Sequence, residues 1–323
     1  PMRHRLEAGF DRFIDATAKP DHEIARLLAA LDVDIVVDMK GHTRDARPGI
    51  FAHRPAPLAV SWLGYPGTMG ASFIDYLLAD QTGIPKSAEH HFQEKIVWLP
   101  GSYQVNDASR AISAENPTRS AFGLPDNDFV FCSFNNPYKL TPEVFDTWLD
   151  ILRDTPSSVL WLYAAHPIAR ENLSARASEK GVARQRLIFA DFETDQPRHL
   201  ARLKLADLVL DTLPYNAHTT ASDALWAGVP VLTLPGEAFP ARVAASVLHA
   251  AGLPQLITKT PDEYRAAAGR LAQNPAELAA IKSALAQNRD HCALFDTRFF
   301  CAQMERAYTM MWNRHKAGLA PES

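Results

Sequence analysis

The chain has 323 residues, 47% of them hydrophobic and 22% charged, as expected for a globular protein of about two ordinary domains. Its formal net charge of -4 argues against the strong positive field that would attract the protein to nucleic acid or to an anionic membrane. No apolar run reaches membrane-spanning length, and the first residues are charged rather than signal-like.

The three cysteines are Cys132, Cys292 and Cys301, and no two of them form a CxxC pair. Their wide spacing and odd number indicate neither a disulfide framework nor a zinc site. We therefore expect a reducing, cytoplasmic location, and we expect no bound metal.

The first part of the chain alternates predicted helices with predicted strands. An amphipathic helix is expected within residues 1–20 and a second over 21–31, followed by a short helix over 48–53. Apolar runs predict strands at residues 34–38, 58–62, 76–78 and 95–98. This alternation implies a parallel sheet. Few strands precede residue 34, so we expect that the chain begins partway through a domain.

A second α/β unit follows a stretch of weak periodicity, in which we place a linker at residues 106–116. Strands are predicted at residues 129–134, 158–163, 186–189, 208–210 and 231–234. Helices are predicted at residues 142–153, 167–180, 196–203, 240–251, 261–272, 275–288 and 296–315. The predicted fold is α/β, with two Rossmann-like parallel-sheet domains facing a cleft. The predicted domains are residues 1–108, residues 109–290 and a C-terminal helix, 291–323, that packs back on the first domain.

The segment at residues 208–237 carries the clearest functional signal. An apolar strand leads through a Pro/Asn turn to His218, Thr219 and Thr220, and then to a helical pattern that Gly228 ends. Either threonine can cap that helix, whose first N–H groups favour an anion, above all phosphate. Ligands of open α/β sheets bind at the carboxyl ends of the strands. A nucleotide diphosphate is the ligand that this arrangement predicts.

Asp223 is expected in the first turn of the same helix, one turn beyond the phosphate site. A carboxylate there is placed to accept hydrogen bonds from a ribose. The alternative is a purely structural carboxylate that favours the helix dipole.

Two further groups lie at predicted strand ends. Lys139 stands between a buried strand and a helix that Thr141 caps, where an ammonium group suits a phosphate. His199 and Arg202 are three residues apart on one helix face and are placed to reach a diphosphate or a base. The alternatives are an exposed loop lysine and a solvated helix face.

Other patterns do not carry chemistry. The glycines at 64, 67 and 70 precede no lysine and match no Walker or dinucleotide fingerprint. No Gly-x-Gly-x-x-Gly follows a strand, which argues against hydride transfer. No Gly-x-Ser-x-Gly motif is present either.

Taken together, the motifs resemble the catalytic region of the nucleocytoplasmic O-linked N-acetylglucosamine transferases and their bacterial homologues. The matching segments cover nearly the whole chain and include residues 38–43, 54–57, 62–68, 134–139, 158–162, 218–228, 235–237 and 242–246. The resemblance implies a glycosyltransferase of the two-Rossmann-domain type (GT-B). It implies UDP-N-acetylglucosamine (UDP-GlcNAc) as donor, a protein Ser or Thr hydroxyl as acceptor, inversion at the sugar carbon, and no metal or other cofactor.

The resemblance also assigns residues. It implies that Lys139 and His218 are catalytic, and that UDP contacts Asn136, Lys139, His199, Arg202, His218, Thr219, Thr220 and Asp223. Asn136 stands where the family often has Gln, so its side chain is one methylene shorter. The family's tetratricopeptide region, a possible partner, and a His-rich segment upstream of residue 34 have no counterpart in this sequence. The remaining acceptor-side loops are 41–43 and 64–68, and His42 is a base by residue type only.

Two alternatives remain open at the level of sequence. The chain is a UDP-binding module without complete catalytic machinery, or it is a nucleotide-sugar transferase that acts on non-protein acceptors.

Overall fold

The computed structural model describes residues 2–323. Their contacts group into two compact units, one of residues up to 78, 90–97 and 307–323, the other of residues 79–89 and 98–306. Each unit combines several segments of the chain, whereas the domains predicted from the sequence are continuous. Those boundaries, near residues 108 and 290, stay predictions.

The first sheet has four strands in the order β1-β2-β3-β4. Its strands are β1 (Ile35–Asp38), β2 (Leu58–Ser61), β3 (Tyr76–Ala79) and β4 (Lys95–Trp98), and the helices before and within it are α1 (Met2–Ala8), α2 (Asp21–Ala30) and α3 (Gly49–Ala52). The β1–β2 and β2–β3 pairs are parallel, with Ile35 opposite Leu58 and Val60 opposite Tyr76. All four predicted strands are confirmed to within a residue or two.

The second sheet has five parallel strands in the order β7-β6-β5-β8-β9. Its strands are β5 (Phe129–Ser133), β6 (Ser158–Tyr163), β7 (Leu187–Ala190), β8 (Leu208–Leu210) and β9 (Val231–Leu232). The helices of this unit are α4 (Pro142–Asp154), α5 (Pro167–Glu179), α6 (Gln196–Leu203), α7 (Thr219–Trp226), α8 (Val243–Ala250), α9 (Pro261–Gln273) and α10 (Pro275–Asn288). The last helix, α11 (Thr297–Lys316), begins in this unit and ends in the first. Every strand and helix predicted for this unit is present, although β9 is shorter than expected.

Each sheet is buried in apolar side chains of its own unit. Val36, Ala59 and Met69 are part of the first core, and Phe131, Trp161 and Leu210 are fully or almost fully buried in the second. Parallel strands that are covered on both faces read as continuous apolar runs, which is why the pattern identified them.

Local signals set where two helices of the second unit begin or end. The Thr141 side chain accepts a hydrogen bond from the main-chain N–H of Val144, and Pro142 occupies the first turn of α4. Gly228 follows α7 with φ of +84°, a conformation that few residues other than glycine adopt.

The strand order creates a crevice at the carboxyl edge of the second sheet. The chain runs outward from β5 to β6 and β7, then returns to add β8 and β9 on the other side of β5. The loops that follow β5 and β8 therefore diverge at a topological switch point, the usual ligand-binding position in open α/β sheets. Lys139 follows β5, and His218 follows β8.

Candidate functional site

Lys139 joins the two loops at the switch point. Its Nζ donates a hydrogen bond to the main-chain oxygen of Asn216, 2.8 Å away, and lies 4.2 Å from the ring centre of Tyr215. Burial lowers the pKa of Lys139 to about 8, and the nearby Asp211 carboxyl opposes that shift. The amine is therefore still mostly charged near pH 7, and an ammonium group has two more protons to donate.

A buried carboxylate that the sequence analysis did not identify organises the loop after β8. One oxygen of Asp211 accepts hydrogen bonds from the main-chain N–H groups of Thr212 (2.7 Å) and Ala217 (2.5 Å). The other accepts from the hydroxyl of Thr233, at 2.6 Å. Burial raises the pKa of Asp211 to about 7. The only sequence signal was an acidic residue directly after an apolar strand.

His218 is held as a neutral imidazole. Its Nε2 lies 3.2 Å from the main-chain oxygen of Pro240, and a carbonyl oxygen only accepts, so Nε2 carries the proton. The ring stacks on Tyr215, with 4.9 Å between ring centres. Burial, and then the charge of Lys139, lower the pKa of His218 to about 4. The free nitrogen, Nδ1, is an acceptor in this state.

The amino-terminal end of α7 lacks the predicted threonine cap. His218 is the residue before the helix, and no side chain caps that end. The Thr220 hydroxyl instead donates to Oδ1 of Asn135 at 2.7 Å, and Nδ2 of Asn135 donates to the Thr212 hydroxyl at 3.1 Å. Thr219 and Thr220 are the first two residues of the helix itself, so neither occupies the capping position before it. The first N–H groups of α7 have no partner within the helix, so the end keeps its affinity for an anion.

Asn136 is used locally. Its Oδ1 accepts a hydrogen bond from the main-chain N–H of Tyr138 at 3.4 Å and caps the short 3-10 turn that ends at Lys139. This contact helps to place Lys139, whereas the contact with UDP that the resemblance implies stays a prediction.

A cavity of about 300 Å³ adjoins Thr220 and α6. Its lining is mainly aromatic and polar: Phe134, Tyr163, Phe192, Glu193, Thr194, Gln196, His199, Arg202 and Thr220. Phe192 is 70% exposed, as expected for an aromatic ring at the rim of an open pocket. Aromatic rings of this kind can stack on a flat heterocycle.

His199 and Arg202 form one unit in the wall of this cavity. Nη2 of Arg202 lies 3.0 Å from Nδ1 of His199, and the guanidinium carbon lies 4.8 Å from the ring centre of Phe134. An arginine only donates, so Nδ1 accepts and Nε2–H is the ring's donor. Burial, then the charge of Arg202, lower the pKa of His199 to about 4. The predicted helix face is therefore largely buried: Arg202 is 6% exposed.

Asp223 does not lie in the first turn of α7, which contains no acidic residue. With His218 rather than a threonine before the helix, α7 begins one or two residues earlier than predicted, so Asp223 falls just beyond its first turn. Its Oδ1 instead forms an ion pair with Nη1 of Arg110. The ribose contact stays a prediction, and Arg110 is a partner that sequence spacing gave no reason to expect.

In the first unit, tight loops follow β1 and β2. Oδ1 of Asp38 accepts from the N–H groups of Lys40 (2.8 Å) and Gly41 (3.0 Å). A Cβ atom at Gly64 would lie 2.0 Å from the Met39 oxygen, so only glycine permits this approach. His42 is held by a hydrogen bond between Nε2 and the oxygen of Met69 at 3.1 Å. These contacts hold the loops in place, but they do not identify a catalytic base.

Within residues 2–323, no group of three or more His, Cys, Asp and Glu side chains is arranged to hold a metal ion. Over the same residues, no helix is both long and apolar enough to cross a membrane.

Two parallel α/β sheets, with the free amino-terminal end of α7 and a half-buried lysine at a switch point, are features of the two-Rossmann-domain (GT-B) fold of glycosyltransferases. The family model described as glycosyl transferase family 41 matches residues 1–116 and 110–304. The chain belongs to this family, as the motifs in the sequence predicted.

Two curated relatives are similar over almost the entire chain. One is the probable UDP-N-acetylglucosamine–peptide N-acetylglucosaminyltransferase SEC of Arabidopsis thaliana, 39% identical over 99% of this chain and 33% of its own length. The other is the UDP-N-acetylglucosamine–peptide N-acetylglucosaminyltransferase of Caenorhabditis elegans, 28% identical over 98% and 37%. The chain thus spans about a third of each relative.

Solved structures confirm the fold. A mutant O-GlcNAc transferase of Thermobaculum terrenum has a TM-score of 0.86 and 32% identity, over 96% of this chain and 58% of its own. HepE of Anabaena, solved with UDP and glucose, has a TM-score of 0.61 over 93% of this chain and 84% of its own. At 14% identity, the HepE match supports the fold alone.

Proposed function

We propose that the chain transfers N-acetylglucosamine from UDP-GlcNAc to Ser or Thr hydroxyls of proteins, with inversion at the sugar carbon. The observation that carries the donor half is Lys139, a half-buried ammonium group held against the loop that leads into α7. The acceptor half rests on the two relatives described above, one named as a peptide N-acetylglucosaminyltransferase and the other as a probable one.

The diphosphate is proposed to lie between Lys139 and the uncapped amino-terminal end of α7. Lys139 retains two protons for phosphate oxygens, and the main-chain N–H groups of Thr219 and Thr220 supply further donors. Uracil is proposed to occupy the 300 Å³ cavity, where His199 offers Nε2–H. Asn136, which caps the turn that carries Lys139, is proposed to contact the same phosphates.

In the proposed reaction, the acceptor oxygen forms a bond to C1 of the sugar as the bond from C1 to the β-phosphate breaks. UDP leaves with the bonding electron pair, so negative charge grows on the β-phosphate. A fixed donor aimed at such charge typically contributes about 3 kcal/mol to catalysis. Lys139 and α7 supply this stabilisation, and the acceptor proton passes to a base that we do not assign.

His218 has a more specific role in this proposal. Its Nε2–H is committed to Pro240, so a neutral His218 has no second proton for a phosphate. A diphosphate nearby raises the pKa of an imidazole, because it favours the charged form. We therefore propose that His218 gains a proton when UDP is bound and donates it through Nδ1.

Transfer of radiolabelled N-acetylglucosamine to a Ser-containing peptide tests the proposal, with the Ser→Ala peptide as control. Label on the Ser peptide alone, in a β-linkage, is the expected result. Calorimetric binding of UDP without any transfer would instead identify a binding module. Transfer to small glycosides but not to peptides would identify a different acceptor class.

A further inference from the structure

The segment at residues 104–113 lies along α7 in the second unit. Nε2 of Gln104 donates to the Ser222 hydroxyl at 3.1 Å, and Nε1 of Trp226 donates to the main-chain oxygen of Arg110 at 3.1 Å. Beyond Arg110, the main-chain N–H of Ser113 donates to the oxygen of Pro197, at 3.0 Å, at the start of α6. One segment therefore connects the helix of the phosphate site with the helix that carries His199 and Arg202.

Arg110 is the most constrained side chain of this segment. Its guanidinium carbon lies 5.3 Å from the ring centre of Trp226, its Nε donates to the Asp107 oxygen at 3.2 Å, and its Nη1 pairs with Asp223. Only 10% of the side chain is exposed. Nη2 is buried and has no hydrogen-bond partner within residues 2–323. A buried guanidinium with a spare donor is costly, which indicates a role beyond tying down a loop.

The ion pair with Arg110 uses only one of the two carboxylate oxygens of Asp223. Oδ1 is occupied by Arg110, and no hydrogen bond to Oδ2 is made by residues 2–323. The Asp223 side chain is 16% exposed, so it remains accessible to a ligand. Burial raises the pKa of the Asp223 carboxyl and Arg110 opposes that shift, so Arg110 favours the charged acceptor. A charged acceptor with one oxygen held is suited to neutral hydroxyl donors.

We propose that Arg110 is a positioning residue for the nucleotide, which holds Asp223 so that its second oxygen accepts hydrogen bonds from the ribose hydroxyls. This inference rests on the proposed function, because it requires a ribonucleotide at α7. Arg110, which lies 113 positions before Asp223 in the sequence, would thereby set the preference for ribose.

The test compares UDP with 2′,3′-dideoxy-UDP, which lacks the ribose hydroxyls, by calorimetry. The unmodified chain is expected to bind UDP at least about tenfold more tightly, as befits hydrogen bonds to a charged group. Arg110→Gln is expected to remove most of that preference while changing dideoxy-UDP affinity less than about twofold. Asp223→Asn is expected to do the same, and the double variant to add little, because the two residues act as one unit.

Arg289→Gln is the matched control. The Arg289 guanidinium also lies 5.3 Å from the centre of the Trp226 ring, but it pairs with Asp290 rather than with Asp223. This variant is expected to keep the preference for UDP unchanged. If Arg110→Gln fails to fold, Arg110→Lys is the variant to test, because lysine keeps the positive charge but lacks the rigid, planar guanidinium group. It is expected to show an intermediate preference at near-normal stability.

Each remaining outcome counts against the inference in a distinguishable way. Equal loss of affinity for both nucleotides in the Arg110 variants would assign the ion pair a purely structural role. Equal binding of both nucleotides by the unmodified chain would overturn the inference and leave the proposed function standing. Binding of neither nucleotide would remove the proposed function and the inference together.

Discussion

The amine of Lys139 donates to the main-chain oxygen of Asn216 across 2.8 Å, which links the loop after β5 to the loop after β8. This contact spans the switch point of the second sheet. It holds a positive charge where the free N–H groups of α7 begin, so two sources of positive potential act on the same place. The proposed donor site follows from this arrangement.

Replacing Lys139 by alanine tests its proposed part in catalysis. We expect kcat/KM for sugar transfer to fall about 100-fold or more, because one fixed donor to the leaving group contributes about 3 kcal/mol. Circular dichroism and the unfolding midpoint should remain near normal. Lys204→Ala, at an exposed lysine after α6, is the control. Near-normal transfer by Lys139→Ala would show that the leaving group is stabilised elsewhere.

The pH dependence of UDP binding offers a second test of the same residue. Because the pKa of Lys139 is lowered to about 8, its charge is lost as the pH rises through that value. We expect the Kd for UDP to increase between about pH 7.5 and pH 9, approaching tenfold per pH unit at the upper end. Titrations of Lys139→Ala at the same pH values should lack this increase. An identical pH profile in both proteins would assign the effect to the nucleotide itself.

Asp211 is expected to maintain the loop that leads into α7. Asp211→Ala leaves the N–H groups of Thr212 and Ala217 buried without acceptors, at a cost of about 1–3 kcal/mol each in unfolding free energy. Asp211→Asn keeps one oxygen for those donors, and its NH₂ can donate to the Thr233 hydroxyl. Urea denaturation should therefore show a large loss for alanine and a small one for asparagine. Equal losses would mean that the charge, rather than the acceptor geometry, is what the loop requires.

His199 and His218, both half-buried, should make stability fall in acid. The pKa values of His199 and His218 are lowered from 6.5 to about 4, so below about pH 6.5 the unfolded chain binds protons that the folded chain does not. That difference corresponds to roughly 3 kcal/mol per histidine, lost as the pH falls to about 4. Asp211 acts in the opposite sense, because its raised pKa stabilises the folded chain as the pH falls through about 7.

Variants separate these opposing contributions. His199→Gln and His218→Gln should each lose less stability than the unmodified chain between about pH 6.5 and pH 4, since glutamine binds no proton. His53→Gln, at an exposed position, should follow the unmodified chain. Urea midpoints at closely spaced pH values provide the comparison. Parallel curves for all four proteins would show that these two imidazoles do not set the acid response.

The sequence predicted the sheets well because both have simple apolar signals. Strands such as Leu208–Leu210 are continuous apolar runs, and the motif around His218 marks a strand-to-helix junction. The side-chain contacts within the site were harder to predict from the sequence. Thr219 and Thr220 are the predicted caps of α7, but the helix begins at Thr219, and the Thr220 hydroxyl donates to Asn135, 85 residues earlier. A local capping rule cannot anticipate a side-chain partner that only the strand order brings near.

The same reason explains the two residues that the sequence analysis missed. The sequence shows Asp211 as an acidic residue after a strand. Its structural role depends on the hydrogen-bond donors of Ala217 and Thr233, which only the folded chain brings to it. Arg110 lies in the stretch of weak periodicity that is predicted to be a linker, and its partner Asp223 follows 113 residues later. Long-range pairs of this kind require the tertiary structure.

A crystal structure with UDP bound is the most direct test of the central claim, that the switch point of the second sheet is the donor site. We predict that the diphosphate contacts Nζ of Lys139 and the main-chain N–H groups of Thr219 and Thr220. Uracil should lie in the cavity beside Phe134 and His199. A diphosphate bound elsewhere, with Lys139 still donating only to Asn216, would contradict this account.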